Sequence, residues 1–130
     1  MTRSLIGTWH LVHATASAAD GSPLPPPYGG PHAIGLVSFT AEGRMVAVLC
    51  DSRPADHLDT AREFVSYCGA YHYDGRELVT QVDATSRPSW LGTEQRRSVS
   101  FEDDLLVLRP PLRAYSSAPE QRVLYWKKET

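Results

Sequence analysis

Phe64-Val65-Ser66-Tyr67-Cys68-Gly69-Ala70-Tyr71-His72-Tyr73-Asp74-Gly75-Arg76-Glu77-Leu78-Val79-Thr80-Gln81-Val82-Asp83-Ala84 is the stretch on which the fold turns. Its two arms are rich in aromatic and β-branched residues, and Asp74-Gly75 between them is the strongest hairpin signal in the chain. The same beat recurs on either side. Residues 34–40 and 45–51 form a second strand pair around Ala41-Glu42-Gly43-Arg44, and residues 93–101 and 105–109 form a third around Glu102-Asp103-Asp104. Residues 7–15 and 122–128 add a strand at each end. Eight strands joined mostly by hairpins predict an all-β chain, an up-and-down antiparallel barrel or sandwich, with the barrel favoured.

Composition agrees. The 130 residues make one domain, 1–130, and hold 9 Gly and 10 Pro, an excess of turn formers that argues against a helical bundle. Five prolines (Pro23, Pro25, Pro26, Pro27 and Pro31) fall in residues 16–31, which read as a long loop, with Pro23 to Pro31 a lid candidate over the barrel mouth. Pro54 opens the one short helix expected, over residues 55–62. Thirteen Lys and Arg against 15 Asp and Glu leave a charge of −2, too weak a field for nucleic acid or an anionic membrane. No apolar run is long enough to span a bilayer, no leader peptide is visible, and Cys50 and Cys68 are too few for a disulfide framework. A cytoplasmic protein with free thiols is expected. A homo-oligomer is allowed but not indicated.

Alternation sorts side chains by face. In residues 93–101 the polar Arg96, Ser98 and Ser100 face out, so Gln95, Arg97, Val99 and Phe101 face in. An inward guanidinium is costly unless paired, which leaves two readings of equal weight: a polar patch in a ligand cavity, or a satisfied arginine plugging the barrel, stacked on a tryptophan. Tyr67, Gly69, Tyr71 and Tyr73 share a face, where Gly69 makes space for a ligand or for the facing backbone. Leu78, Thr80 and Val82 form the apolar face of the next strand, and a bulge there would leave Gln81 and Asp83 unassigned. Trp9, Leu11 and His13 share a face, so His13 is either a hydrogen-bonded core residue or an acid/base group.

Residues 5–12 (with Gly7-Thr8-Trp9), Gly35-Leu36-Val37-Ser38-Phe39-Thr40 followed by Gly43-Arg44-Met45, Tyr67-Cys68-Gly69-Ala70-Tyr71, Pro88-Ser89-Trp90-Leu91-Gly92-Thr93-Glu94-Gln95-Arg96-Arg97, Leu105-Leu106-Val107-Leu108 and Leu124-Tyr125-Trp126-Lys127 together resemble the lipocalin-like domain family of small bacterial and fungal barrels. The resemblance implies an antiparallel barrel of about eight strands. It also implies a cavity for small molecules, since related small barrels in biosynthetic clusters act as cofactor-free cyclases or isomerases on polyketide- or terpenoid-like compounds. The chain departs from the pattern at Gln81, where relatives often carry His, and in a shorter segment before Phe64.

No phosphate loop, dinucleotide fingerprint, nucleophile elbow or metal-ligand spacing is present, so no cofactor and no metal is expected. Two functions remain. In the favoured one, a cofactor-independent cyclase or isomerase of secondary metabolism uses His13, Tyr71, Asp83 and Arg97 as catalytic groups. Trp9, Tyr67, Gln81, Trp90, Gln95 and Phe101 then bind the substrate. In the other, the same cavity carries a small apolar ligand without chemistry. A filled barrel used only for association stands behind both.

Overall fold

The first strand meets the last. In a computed structural model that describes residues 3–54, 62–115 and 118–129, β1 (Gly7–Ala18) pairs with β10 (Pro119–Lys128) from Trp9 opposite Lys128 to Ala18 opposite Glu120. Between them run β3 (Ala33–Phe39), β4 (Arg44–Asp51), β5 (Phe64–Tyr73), β6 (Glu77–Thr85), β7 (Glu94–Glu102) and β8 (Leu105–Arg109), each antiparallel to its neighbour. These eight strands close into a barrel. Two short pieces, β2 (Pro23–Leu24) on β1 and β9 (Arg113–Ala114) on β10, extend one rim. The expected helix over 55–62 lies almost wholly outside the described residues. The loop expected at 16–31 is more ordered than read: β1 continues to Ala18, β2 pairs with it, and a 3-10 turn covers Gly30–His32.

The Asp74-Gly75 turn forms as the sequence dictates. Asp74 Oδ1 accepts from the Arg76 and Glu77 amides at 2.9 and 2.8 Å, and Gly75 takes a φ of 99° that a side chain would oppose.

Two bulges decide which residues face inward. The β1–β10 register slips between Leu11 and His13, so Val12 has no partner and the alternation inverts after it. Trp9 and Leu11 stay inside, Ala14 and Ala16 take the next inward positions, and His13 turns outward to stack on Tyr125 at 4.2 Å. The expected face shared by Trp9, Leu11 and His13 is thus broken by one extra residue. The second slip lies between Cys68 and Gly69, where Val82 and Ala84 are paired and Asp83 loops out. There a β-carbon on Gly69 would overlap the carbonyl oxygen of Gln81. Glycine at this position therefore serves the facing backbone, not a ligand. Cys50 and Cys68 are both free thiols.

One end of the barrel is plugged. Leu5, Trp9, Phe39, Leu78 and Leu106 are buried there, the Trp9 indole donates to the Leu5 carbonyl at 2.9 Å, and Arg3 lies over the Phe101 ring at 4.2 Å. At the other end Asp51, 3% exposed, accepts from Arg53 Nη2 at 2.6 Å and from the Arg53 amide at 3.0 Å.

Two outcomes follow from these contacts. Gly69→Ala forces the bulged backbone apart and should cost about 2 kcal/mol, read from urea denaturation. The side-chain and backbone hydrogen bonds from Arg53 hold the Asp51 carboxyl down to about 2, against an ordinary value of 3.8. A depressed pKa means that the stabilisation is complete above about pH 4 and drains away as the pH falls toward about 2. Asp51→Asn should therefore flatten the loss of stability between about pH 4 and pH 2, and an unchanged slope there would contradict the pairing.

Candidate functional site

The rim opposite the plug gathers four connections. The β1–β3 loop supplies Tyr28, the β4–β5 connection Glu63, the β6–β7 turn Trp90, and the β8–β10 segment Pro110, Arg113 and Tyr115. Beneath them the inward faces of the strands form an apolar chamber walled by Leu49, Val65, Leu108 and Leu124, with Trp126 and Met45 deeper in. Loops rather than strands therefore close this end, as is usual where a rigid scaffold carries a site.

Arg122 is the keystone of the rim. Only 5% exposed, it donates from Nε to Glu120 Oε1 at 2.7 Å, pairs with Glu63 Oε2 at 2.9 Å, and lies over Tyr115 at 3.7 Å and Tyr28 at 5.0 Å. Glu63 also accepts the Tyr28 amide at 2.8 Å, which fixes Tyr28 in a left-handed conformation, φ 59°, that a bulky residue seldom adopts. Burial pushes the Tyr28 phenol above its ordinary value, so it stays a neutral hydroxyl.

Arg97 and Arg113 are held differently. Arg97, 7% exposed, donates to its neighbour's carbonyl, Arg96, at 2.8 Å and reaches Gln95 Oε1 at 3.5 Å. Arg113 donates to the same Gln95 oxygen at 2.9 Å and lies over Trp90 at 4.9 Å. Trp90 in turn meets Tyr67 edge-on at 5.5 Å, and Arg97 stands over Tyr67 at 5.8 Å. Among the described residues neither guanidinium meets a carboxylate, and none lines the chamber. Two buried donors there, Trp126 Nε1 and the Tyr115 hydroxyl, lack a hydrogen-bond partner among the described residues.

The structure thus brings together four of the ten residues singled out from the sequence: Tyr67, Trp90 and Arg97 line the chamber, and Gln95 bridges its arginines. Three sit at the plugged end. Trp9 is committed to Leu5, Phe101 packs near it at 6.4 Å, and the Tyr71 hydroxyl donates to the Thr40 carbonyl at 3.0 Å. The other three face outward: His13 through the first bulge, Asp83 in a bidentate pair with Arg44 at 2.6 and 2.9 Å, and Gln81 bonded to Glu94. His13 and Asp83 are therefore not inside the barrel as acid/base groups, and Gln81 does not line it. Tyr28, Arg113, Tyr115 and Arg122 were missed. The first three stand on connections, where no periodicity marks a side chain's direction, and Arg122 opens the expected final strand without any signal of what it meets.

The two buried arginines should respond oppositely to removal. Arg122→Met strands two carboxylates and should cost about 2–3 kcal/mol, discounted because Glu63 is partly exposed. Arg97→Met removes a buried cation that has no counter-charge among the described residues, and should leave stability unchanged or raise it by about 1 kcal/mol. Thermal melts of the two variants check this, and equal losses would contradict the difference in pairing.

No curated protein matches the chain. A family model described as a lipocalin-like domain matches residues 6–129, nearly the full length, and runs from the plugged start of β1 to the end of β10. With the closed antiparallel barrel, this match places the chain in the lipocalin-like domain family.

Proposed function

We propose that the protein binds a small, largely apolar molecule inside the barrel, entering through the loop-covered rim. The observation that carries this reading is the asymmetry of the two ends. Strand residues plug one end tightly, while four connections lay aromatic rings and guanidinium groups over an apolar chamber at the other. The space open to the centre of a water molecule is about 30 Å³, room for about two waters. That space is far smaller than the usual small-molecule pocket. A ligand therefore has to displace rim side chains, above all Trp90, Arg113 and Tyr115, none of which belongs to one of the eight barrel strands. Binding and opening of the rim are one event.

Carriage without chemistry is the reading the geometry favours, because His13, Asp83 and Tyr71 are spent elsewhere. A cofactor-free cyclase or isomerase acting on a polyketide- or terpenoid-like intermediate would have to rely on Arg97, Gln95 and Tyr67. Donors preorganised in a dry chamber can stabilise developing negative charge.

Titration with N-phenyl-1-naphthylamine, a neutral apolar fluorophore, tests the binding reading. The expected result is a saturable, one-to-one rise in emission. Ala47→Phe, which fills the chamber from the β4 wall, should abolish it while the circular dichroism spectrum is kept. Emission that survives Ala47→Phe unchanged would place the dye outside the barrel and defeat the proposal.

A further inference from the structure

We propose that the ligand carries an anionic head: Arg97 and Arg113, joined through Gln95, take the carboxylate of a monocarboxylic acid whose apolar body fills the barrel. The inference rests on the reading of the barrel as a binding site and narrows it to a ligand class. It also refines the small apolar ligand expected from the sequence.

Three observations carry it. First, the chamber is rich in donors and poor in acceptors. Two guanidiniums share one amide oxygen, at 3.5 and 2.9 Å, and no acid lines the cavity among the described residues. Two like charges on a single neutral acceptor repel each other, and one amide oxygen offers fewer acceptor sites than two guanidinium groups can use.

Second, the other buried arginine, Arg122, is paired with carboxylates, as are several exposed ones. Arg44 has Asp83, Arg53 has Asp51, Arg96 has Glu77 and Glu94, and Arg122 has Glu63 and Glu120. Arg97 is more than nine-tenths buried and lines the chamber, yet among the described residues it meets a backbone carbonyl, a long amide contact and the Tyr67 ring, and no carboxylate. Third, the walls behind the arginines are apolar. Leu49, Val65, Leu108 and Leu124 suit an apolar body behind the head group. A carboxylate offers two oxygens in one plane, one to each fork, in place of the single oxygen of Gln95.

Calorimetric titration at pH 7.5 with two matched pairs, octanoic acid with 1-octanol and 2-naphthoic acid with 2-naphthalenemethanol, tests this. The acid of at least one pair should bind tenfold or more tighter than its alcohol. Arg113→Gln, a partly exposed position that need not disturb folding, should cut that preference about tenfold, and Arg97→Gln should do the same. The preference is read as the acid-to-alcohol ratio within each variant, so that a change common to both ligands cancels, with melting curves confirming the fold. Acid and alcohol bound alike, or an acid preference unchanged in both variants, would overturn the anion site while leaving the barrel as a binding chamber. Failure of all four compounds to bind would overturn the chamber and the anion site together.

Discussion

Everything in this molecule hangs on the seam between β1 and β10. A sheet of eight strands left open would expose two rows of unpaired backbone groups, and pairing Trp9–Ala18 residues with Lys128–Glu120 residues removes both edges at once. Closure has a geometric cost. β1 must curve enough to serve β3 with its first half and β2 with its second, and the bulge at Val12 supplies the bend. That single extra residue sends His13 out of the barrel and puts the small Ala14 and Ala16 in the positions nearest the rim. Large side chains crowd the opposite end, where Trp9, Phe39 and Leu106 meet. The barrel is consequently tight at one end and roomy at the other before any loop is considered.

The rim completes this asymmetry with charge. Arg122 and its two carboxylates form a closed unit that ties three connections together and holds Tyr28 in a costly backbone conformation. Arg97 and Arg113, a few residues away on the same rim, are left on one amide oxygen. The first arrangement is what a fold needs for its own stability. The second leaves two cations on one neutral acceptor, and on the proposal above a carboxylate supplies the acceptors they lack.

Much of this was legible in the chain, and the reasons are specific. The Asp74-Gly75 turn and the β-rich arms gave the strand order, and strict alternation from Gln95 to Phe101 put Arg97 inside correctly. Alternation failed wherever a bulge interrupted it. His13 and Asp83 lie beside the two slips, and only the pairing partner, not the strand itself, reveals an extra residue. It was also silent on β3 and β4, where Ile34, Leu36, Val46 and Val48 are apolar yet face out. Position along the barrel axis was invisible too. Trp9, Tyr71 and Phe101 were placed on the inward face, but no sequence period says which end of the barrel an inward residue reaches. Arg113 and Tyr115 stand on connections whose course depends on tertiary contacts with Trp90 and Arg122.

The most direct measurement uses the three tryptophans as internal reporters. Trp90 and Trp126 line the chamber, while Trp9 is locked to the Leu5 carbonyl at the plugged end. In proton–nitrogen NMR spectra recorded while 2-naphthoic acid is added, the account predicts that the indole resonances of Trp90 and Trp126 and the side-chain Nε–H resonances of Arg97 and Arg113 shift along one saturation curve. The Trp9 indole should stay where it is. Shifts centred on Trp9, or shifts of outward residues with the four rim and chamber groups unmoved, would contradict it.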